Sequence, residues 1–356
     1  MAVGAIIGRG AYAIVRKYED PDIGPAVIKI CRVFSDMIDW KRALREAYVV
    51  WSLRNSSYIV KAIDILSSSS SSQEPIIAMV FEKYHTDLFQ MNQKKILTST
   101  EIKKIMFQLV ESLYGIHAAG LVHGDMKLSN VFINEDLSAT IGDFNGAFNV
   151  SSPPADEQHM PRMTQGYRAP ECLLSGLVSD QGKRYDKIDV WGLGIIFAEL
   201  LDTSGKLSQH VINTPSDPTH QLRLIINLIG SPDTYGLECL KSYLGMLSPF
   251  EPIVNNPFAY KPSRLHEIAS GPALTMVTKM LSFDPKKRPT ALELYNDPYF
   301  QEFDHNTLLL PPYRVDLSHI DRIKTVDGIW ESLSKLTNES DSMQCIGSID
   351  LSNLEC

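Results

Sequence analysis

The run His123-Gly-Asp-Met-Lys-Leu-Ser-Asn130, followed by Asp143-Phe-Asn145, decides how this chain is read. It sets a carboxylate, a lysine, an amide and a second carboxylate at short, fixed spacing. Moving a γ-phosphate asks little covalent chemistry of a protein. It asks for an acceptor hydroxyl held in line and for cations placed against the developing charge. In such a site Asp125 would accept the hydroxyl proton and Lys127 would face the transferred phosphoryl group, while Asn130 and Asp143 would hold Mg²⁺.

Working outward, the remaining parts of such a site occur in order. Ile7-Gly-Arg-Gly-Ala-Tyr-Ala-Ile-Val15 places two close glycines between apolar residues. It reads as strand–turn–strand, and glycine lets a backbone approach phosphate with no Cβ in the way. Taken alone, the pair is also an ordinary hairpin turn. Ala26-Val-Ile-Lys29 is a β-rich apolar run ending in a lysine, and Glu46 lies beside a helical stripe of Ala43, Ala47, Val50 and Leu53. Ile76 to Tyr84 reads as a buried strand running into a connector. Tyr167-Arg-Ala-Pro-Glu171, Asp186 to Gly194 and Phe283 to Pro289 follow.

This series resembles the protein kinases, with H-R-D-x-K-x-x-N and D-F-G as the central pair, and the likeness runs from residue 4 to about 303. It implies an α+β, bilobal protein-kinase fold with a small β-rich N-lobe over residues 1–82 and a larger helical C-lobe over 83–303. Residues 304–356 would form a C-terminal extension, ordered in part. The resemblance implies ATP as phosphate donor, and a Lys29–Glu46 ion pair that holds the lysine on the α- and β-phosphates. The nucleotide would lie against Ile7, Gly8, Gly10 and Val15 above, and Ala26 and Lys29 behind. Phe81 would sit behind the adenine, with Glu82 and Tyr84 in the hinge. Glu171 would pair with Arg288, Thr164 would bond near Asp125, and His123 is read as a hydrogen-bonded core histidine.

Ala43-Leu-Arg-Glu46, His85-Thr-Asp-Leu88, the stretch His220 to Pro232 and Phe81 resemble the cyclin-dependent kinases. The chain is therefore expected to be a divergent serine/threonine kinase of that kind, acting on protein substrates, with a cyclin-like activator among the implied partners. A mitogen-activated-kinase-like enzyme ranks second, because the T-x-Y motif is missing. The rival from another class is a pseudokinase scaffold, against which the chain keeps Lys29, Glu46, Asp125, Asn130 and Asp143.

The departures form a pattern. His159 stands where regulated relatives carry a phosphoacceptor, and residues 158–162 contain no Ser, Thr or Tyr. Of the three places that read such a phosphate, Arg45 fills one, while Gly124 and Phe148 fill the others. Activation without phosphorylation of this segment is expected. Asn145 replaces the D-F-G glycine and suits a left-handed backbone there, since asparagine tolerates φ > 0. Gly124 is expected to add backbone freedom at about 0.5–1 kcal/mol. Tyr12 reads as a loop-tip aromatic over the phosphates, and Ser67 to Ser72 as a solvated spacer.

Composition is permissive rather than diagnostic. A hydrophobic share of 44% over 356 residues suits a globular catalytic unit. A net charge of −8 argues against bulk nucleic-acid binding through phosphates. Cys31, Cys172, Cys239, Cys345 and Cys356 lack C-x-x-C spacing, which fits a reducing compartment. No apolar run reaches the ~18 residues of a membrane span, and no secretory pattern opens the chain. An intracellular enzyme of nucleus, cytoplasm or both is expected, with no membrane or nucleic-acid partner. In Gly328-Ile-Trp-Glu-Ser-Leu-Ser-Lys-Leu336, the residues Ile329, Trp330, Leu333 and Leu336 share one helical face. Trp330 is expected to dock on the larger lobe.

Overall fold

The computed structural model describes residues 2–10, 13–21, 23–31, 36–68, 76–151, 163–174, 185–205, 217–236, 238, 262–305, 308, 310–311 and 313–340. Tyr12, His159 and most of the serine run lie outside them. Five antiparallel strands, β1 (Ala2–Arg9), β2 (Ala13–Asp20), β3 (Gly24–Cys31), β4 (Ala62–Ser68) and β5 (Ile76–Glu82), pair in the order β1-β2-β3-β5-β4. Helix α1 (Met37–Ser52) connects β3 to β4 and starts on Asp36, whose carboxylate caps the amides of Ile38 and Asp39.

Strand alternation divides the sheet. Ala26, Ile28 and Ile30 join Tyr18, Ala78 and Val80 in a small core on one face. Val27, Lys29 and Cys31 point to the other, where Val27 and Cys31 meet the main core of the molecule. This corrects the placing of Ala26 beside the nucleotide. Side chains three apart on a strand point to opposite faces, so the residue sharing a face with Lys29 is Val27.

After Glu82 the chain becomes mainly helical. Short strands β6 (Thr86–Asp87), β8 (Val131–Ile133) and β9 (Ala139–Ile141) form one sheet, and β7 (Leu121–Val122) pairs with β10 (Phe148–Asn149). Helix α2 (Leu88–Lys94) precedes α3 (Ser99–Ala118), which opens on a capping box between Thr98 and Glu101. The α3 stripe Ile102, Ile105, Met106, Leu109, Leu113 and Ile116 is buried, and its end delivers the chain to His123. Helices α4 (Pro170–Leu174), α5 (Asp186–Leu201), α6 (Pro218–Ile229), α7 (Gly271–Met280) and α8 (Ala291–Tyr295) build the rest of this half. No helix among the described residues is long and apolar enough to cross a membrane.

The last two helices, α9 (Ser318–Asp321) and α10 (Val326–Ser340), turn back to the small lobe. Ile329, Leu333 and Leu336 are buried, as the helical face requires. Trp330 departs from expectation: its ring meets Trp40 of α1 edge-on at 5.6 Å, not the larger lobe.

Helix α5 is the platform of the site. It is buried from Asp186 to Leu200, which explains an apolar run carrying acids that neither face water nor span a membrane. Asp189 in its first turn accepts the main-chain amides of His123 (2.8 Å) and Gly124 (2.9 Å), and bonds His117 at 3.0 Å. One turn later Gly192 lies directly under Met126. A Cβ there would fall 2.7 Å from Met126 Cβ and 3.1 Å from its carbonyl oxygen. Gly192→Ala is therefore expected to lower stability by roughly 1–3 kcal/mol through overpacking, and to reduce turnover by displacing the loop that carries Asp125. Thermal unfolding and steady-state kinetics on one preparation would measure both, and an unchanged variant would refute this contact.

Near its other end, Glu199 accepts a hydrogen bond from the Tyr167 hydroxyl at 2.5 Å. Burial pushes the Glu199 carboxyl up to about 8, and Tyr167 offsets only part of this. A carboxyl raised on folding holds its proton in the native state between its unfolded and folded values. Its contribution is complete below the unfolded pKa of about 4.3 and is lost as pH rises through about 8. Glu199→Gln, neutral throughout, should gain stability on the wild type across this window, by on the order of a few kcal/mol. Denaturant unfolding at both ends of the window gives the comparison, and a pH-independent difference would contradict the assignment.

Candidate active site

The loop after α3 is shaped by its own backbone bonds. His123 Nδ1 accepts from the Asp125 amide at 3.2 Å, so its proton sits on Nε2, which donates to the Gly142 carbonyl at 3.0 Å. Both ring nitrogens are thus engaged, and the buried imidazole is structural. Gly124 has φ +77°. The expected cost of glycine changes sign here: any L side chain would be strained by about 1–2 kcal/mol in this conformation, whereas glycine is not.

Asp125 is held on both carboxylate oxygens. Oδ1 accepts the Thr164 amide and hydroxyl, each at 2.8 Å, and Oδ2 accepts Lys127 Nζ at 2.6 Å. Lys127 also donates to Thr164 Oγ1 at 2.9 Å. Asn130 turns its Nδ2 to the Asp125 carbonyl at 2.9 Å, which directs its Oδ1 elsewhere. Lysine, carboxylate and amide thus converge on one spot, although Asn130 comes from a short turn at Leu128–Asn130 and Thr164 from the segment before α4.

A second cluster joins the two lobes. Lys29 Nζ donates to Glu46 Oε1 and Oε2 at 2.7 and 2.8 Å, and to Asp143 Oδ1 at 2.7 Å. Burial opposes a charge on Lys29, yet Asp143 and Glu46 outweigh it and hold the ammonium well above its ordinary range. Burial would likewise raise the Asp143 carboxyl, but Lys29 brings it below its usual value. The Glu46 carboxyl is pushed up by burial, which Lys29 offsets in part. The left-handed residue of Asp143-Phe-Asn145 is Asp143 itself, at φ 63°. Asn145 is not left-handed, contrary to expectation; it lies in the tight turn Phe144–Gly146 and donates its amide to Asp143 Oδ1 at 3.0 Å.

The donor chemistry suits Mg²⁺. Lys29 and Asn145 share Asp143 Oδ1, so Oδ2 of that carboxylate and Oδ1 of Asn130 are the oxygens available to a cation. Mg²⁺ prefers hard oxygen donors and is commonly bound by one or two carboxylates together with substrate phosphates. Among the described residues no cluster of three or more His, Cys, Asp or Glu could hold a metal by itself, and a site completed by phosphate needs none.

On the nucleotide side, Gly8 lies opposite Val15, and Val15 opposite Lys29. The register slips between Ile6 and Gly8, at Ile7, which is 48% exposed. The Gly10 amide closes the turn on the Ala13 carbonyl at 2.8 Å. A Cβ on Gly8 or Gly10 would meet its neighbours only at 3.5 and 3.6 Å. The protein's own packing therefore does not demand glycine at either place, which leaves close backbone approach to a ligand as the use of the pair. Val27 lies opposite Phe81, which is buried. Glu82 ends β5 with an exposed side chain 3.4 Å from Lys61, and Tyr84 packs on Phe132 with ring centres 5.9 Å apart.

Below the cleft, Arg288 grips Glu171 through two bonds of 2.6 and 2.7 Å and lies over the Trp191 ring. Arg45, expected among phosphate readers, is instead paired with Asp321. The sequence reading did not find Asp321, Val27 or the bond from Asn145 to Asp143. Counting in twos from Lys29 would have found Val27, whereas nothing in the local sequence announced the other two.

Comparison with known proteins agrees with the motifs. The protein kinase domain family matches residues 1–300. Extracellular signal-regulated kinase 2 of Dictyostelium discoideum is 32% identical over 327 residues, covering 89% of this chain and 81% of that one. Mitogen-activated protein kinase 4a of Physcomitrium patens is 31% identical over 95% of this chain and 88% of its own. Mitogen-activated protein kinase 5 of Arabidopsis thaliana reaches 33% over 82% and 74%. These three relatives are extracellular signal-regulated and mitogen-activated kinases, the latter being the subtype ranked second from the motifs. The chain belongs to the protein kinase family, as a serine/threonine kinase of the branch that includes the mitogen-activated enzymes.

Proposed function

We propose that this kinase is catalytically active on protein serine and threonine hydroxyls with Mg·ATP, and that its activation segment needs no phosphate. The observation that carries the reading is the closed set Lys29–Glu46–Asp143 facing Asp125–Lys127–Thr164. Asp125 accepts the proton of the incoming hydroxyl at Oδ2, which receives Lys127 at 2.6 Å and only a long bond from Asn130 Nδ2 at 3.4 Å. Lys127 balances charge on the transferred phosphoryl group, and Lys29 holds the α- and β-phosphates. Mg²⁺, when bound through Asn130 and Asp143, neutralises the phosphate charge. Asn145 keeps the Asp143 carboxylate turned so that one oxygen serves Lys29 and the other the cation. Val27 and Phe81 bound the adenine space, with the main chain of Glu82 to Tyr84 as its hydrogen-bonding edge.

A pseudokinase scaffold would have no use for this arrangement, in which each charged group has an oppositely charged or hydrogen-bonding partner aimed at one cleft. The subtype features pull in two directions, Ala43-Leu-Arg-Glu46 and Phe81 toward cyclin-dependent kinases and the relatives toward mitogen-activated ones. Control is where the chain departs from both, since the phosphoacceptor and two of its three readers are missing together.

The chain expressed alone should transfer phosphate from Mg·ATP to a generic basic protein, and Asp125→Ala should lower the rate roughly 100-fold or more, the range of a lost general base. Transfer that survives unchanged in the variant, or nucleotide binding with no transfer in the wild type, would decide for the scaffold. Mass spectrometry of the active preparation should find no stoichiometric phosphate between Asn149 and Thr164. A phosphate there whose removal abolishes activity would overturn the second half of the proposal.

A further inference from the structure

Arg45 is 3% exposed, and a buried guanidinium left without an anion is strongly unfavourable. Its anion here is Asp321 of α9. The same residue's carbonyl accepts Lys41 Nζ at 2.9 Å, so two cations of α1 converge on one position of the C-terminal extension. Further along α1, Tyr48 bonds Ser332 of α10 at 3.1 Å and meets the His319 ring at 4.7 Å, while Trp40 meets Trp330. The Tyr313 hydroxyl caps the end of α1 through the Ser52 carbonyl at 2.6 Å. The residues facing the extension therefore run along most of the helix that carries Glu46.

The extension is anchored independently on the larger lobe. The Val315 amide donates to the Ala119 carbonyl at 2.9 Å. Asn149 clasps the backbone, accepting from Leu317 at 2.7 Å and donating to Val315 at 2.6 Å. Asn149 lies just beyond the Asp143-Phe-Asn145 turn. One strap thus joins the end of α3, the strand that leaves the Asp143 turn, and the outer face of α1.

We propose that residues 313–336 are a built-in positioning element for the reaction, with Asp321 as its key residue. The strap holds α1 so that Glu46 keeps Lys29 in place, a task that needs neither a phosphate on the activation segment nor a separate activator seated on α1. This rests on the reading of Lys29 and Glu46 given above. The charges support it. A phosphate carries about −1.5 to −2 and is normally read by several cations. Here Gly124 and Phe148 leave Arg45 as the one reader of the three, and a single carboxylate matches it. The cyclin-like activator implied by Ala43-Leu-Arg-Glu46 would meet a surface that the chain already covers.

Full-length Asp321→Asn, Asp321→Glu and Trp330→Ala chains test this, with two readouts taken beside the wild type. Hydrogen–deuterium exchange over residues 37–52 reports on α1 directly, and steady-state kinetics report on catalysis. Exchange in α1 should rise at least tenfold in Asp321→Asn and Trp330→Ala, with the melting temperature of the larger lobe little changed. In the same variants kcat should fall at least tenfold, and Asp321→Glu should recover most of both. Unchanged exchange and kcat in Asp321→Asn and Trp330→Ala would overturn the proposal, and so would losses that follow global melting alone. If the wild type binds ATP but never transfers phosphate, the kinase reading fails, and the exchange data still decide whether the strap holds α1.

Discussion

The lysine ammonium of β3 is the point on which the two halves of the molecule meet. Lys29 belongs to the sheet, Glu46 to α1, and Asp143 to the turn after β9, and one Nζ bonds all three carboxylate oxygens within 2.8 Å. None of the three groups is comfortable alone in a largely buried cleft. Two carboxylates this close would repel and one would take up a proton, and a buried lysine would lose its own. Together they form a charged cluster whose geometry is set by three different elements. Any rotation of α1 or shift of the Asp143 turn leaves a buried charge uncompensated, so the cluster ties catalytic competence to the packing of both lobes.

The larger lobe steadies this cluster through polar anchors, of which Asp189 and His123 are buried. Asp189 on α5 gathers the amides of His123 and Gly124, His123 reaches the Gly142 carbonyl next to Asp143, and Asn145 returns to Asp143 itself. The chain from α5 to the Asp143 carboxylate is therefore a run of hydrogen bonds through main-chain groups, which few substitutions can reproduce. This accounts for Asp189 in the first turn of a helix that is buried along almost its whole length. Buried carboxylates are tolerated when each oxygen is satisfied, and here backbone amides satisfy them.

How much of this was legible in the sequence depends on the range of the interaction. The α3 stripe, the Glu46 helix and the glycine turn were readable because periodicity and spacing express local geometry. Arg288 and Glu171 were readable through the resemblance, although far apart in the chain. Ala26 was misplaced because resemblance by motif ignored the two-residue period of the strand, which the distance from Lys29 already specified. Gly124 and Asn145 were misjudged for another reason. Residue identity says which backbone angles are cheap, but not which residue of a turn adopts them; the left-handed residue proved to be Asp143. The pairing of Arg45 with Asp321 spans 276 residues, and neither residue carries a local pattern that points to the other.

The unusual residues make sense together once the backbone is seen. Glycine at 124 is unstrained at φ +77° and brings no guanidinium to the activation segment. Asparagine at 145 ties the Asp143 carboxylate by a side-chain bond that the usual glycine cannot make. Aspartate at 321 presents to Arg45 a charge that is part of the chain and cannot be removed by a phosphatase. The first removes a phosphate-reading group, the second adds a bond where glycine makes none, and the third gives Arg45 an anion from within the fold. A site assembled this way trades reversibility for permanence, because the groups that order it are covalently part of the fold. On the proposed reading, control over such an enzyme acts on its abundance, its substrates or the nucleotide cleft rather than on α1 or the activation segment.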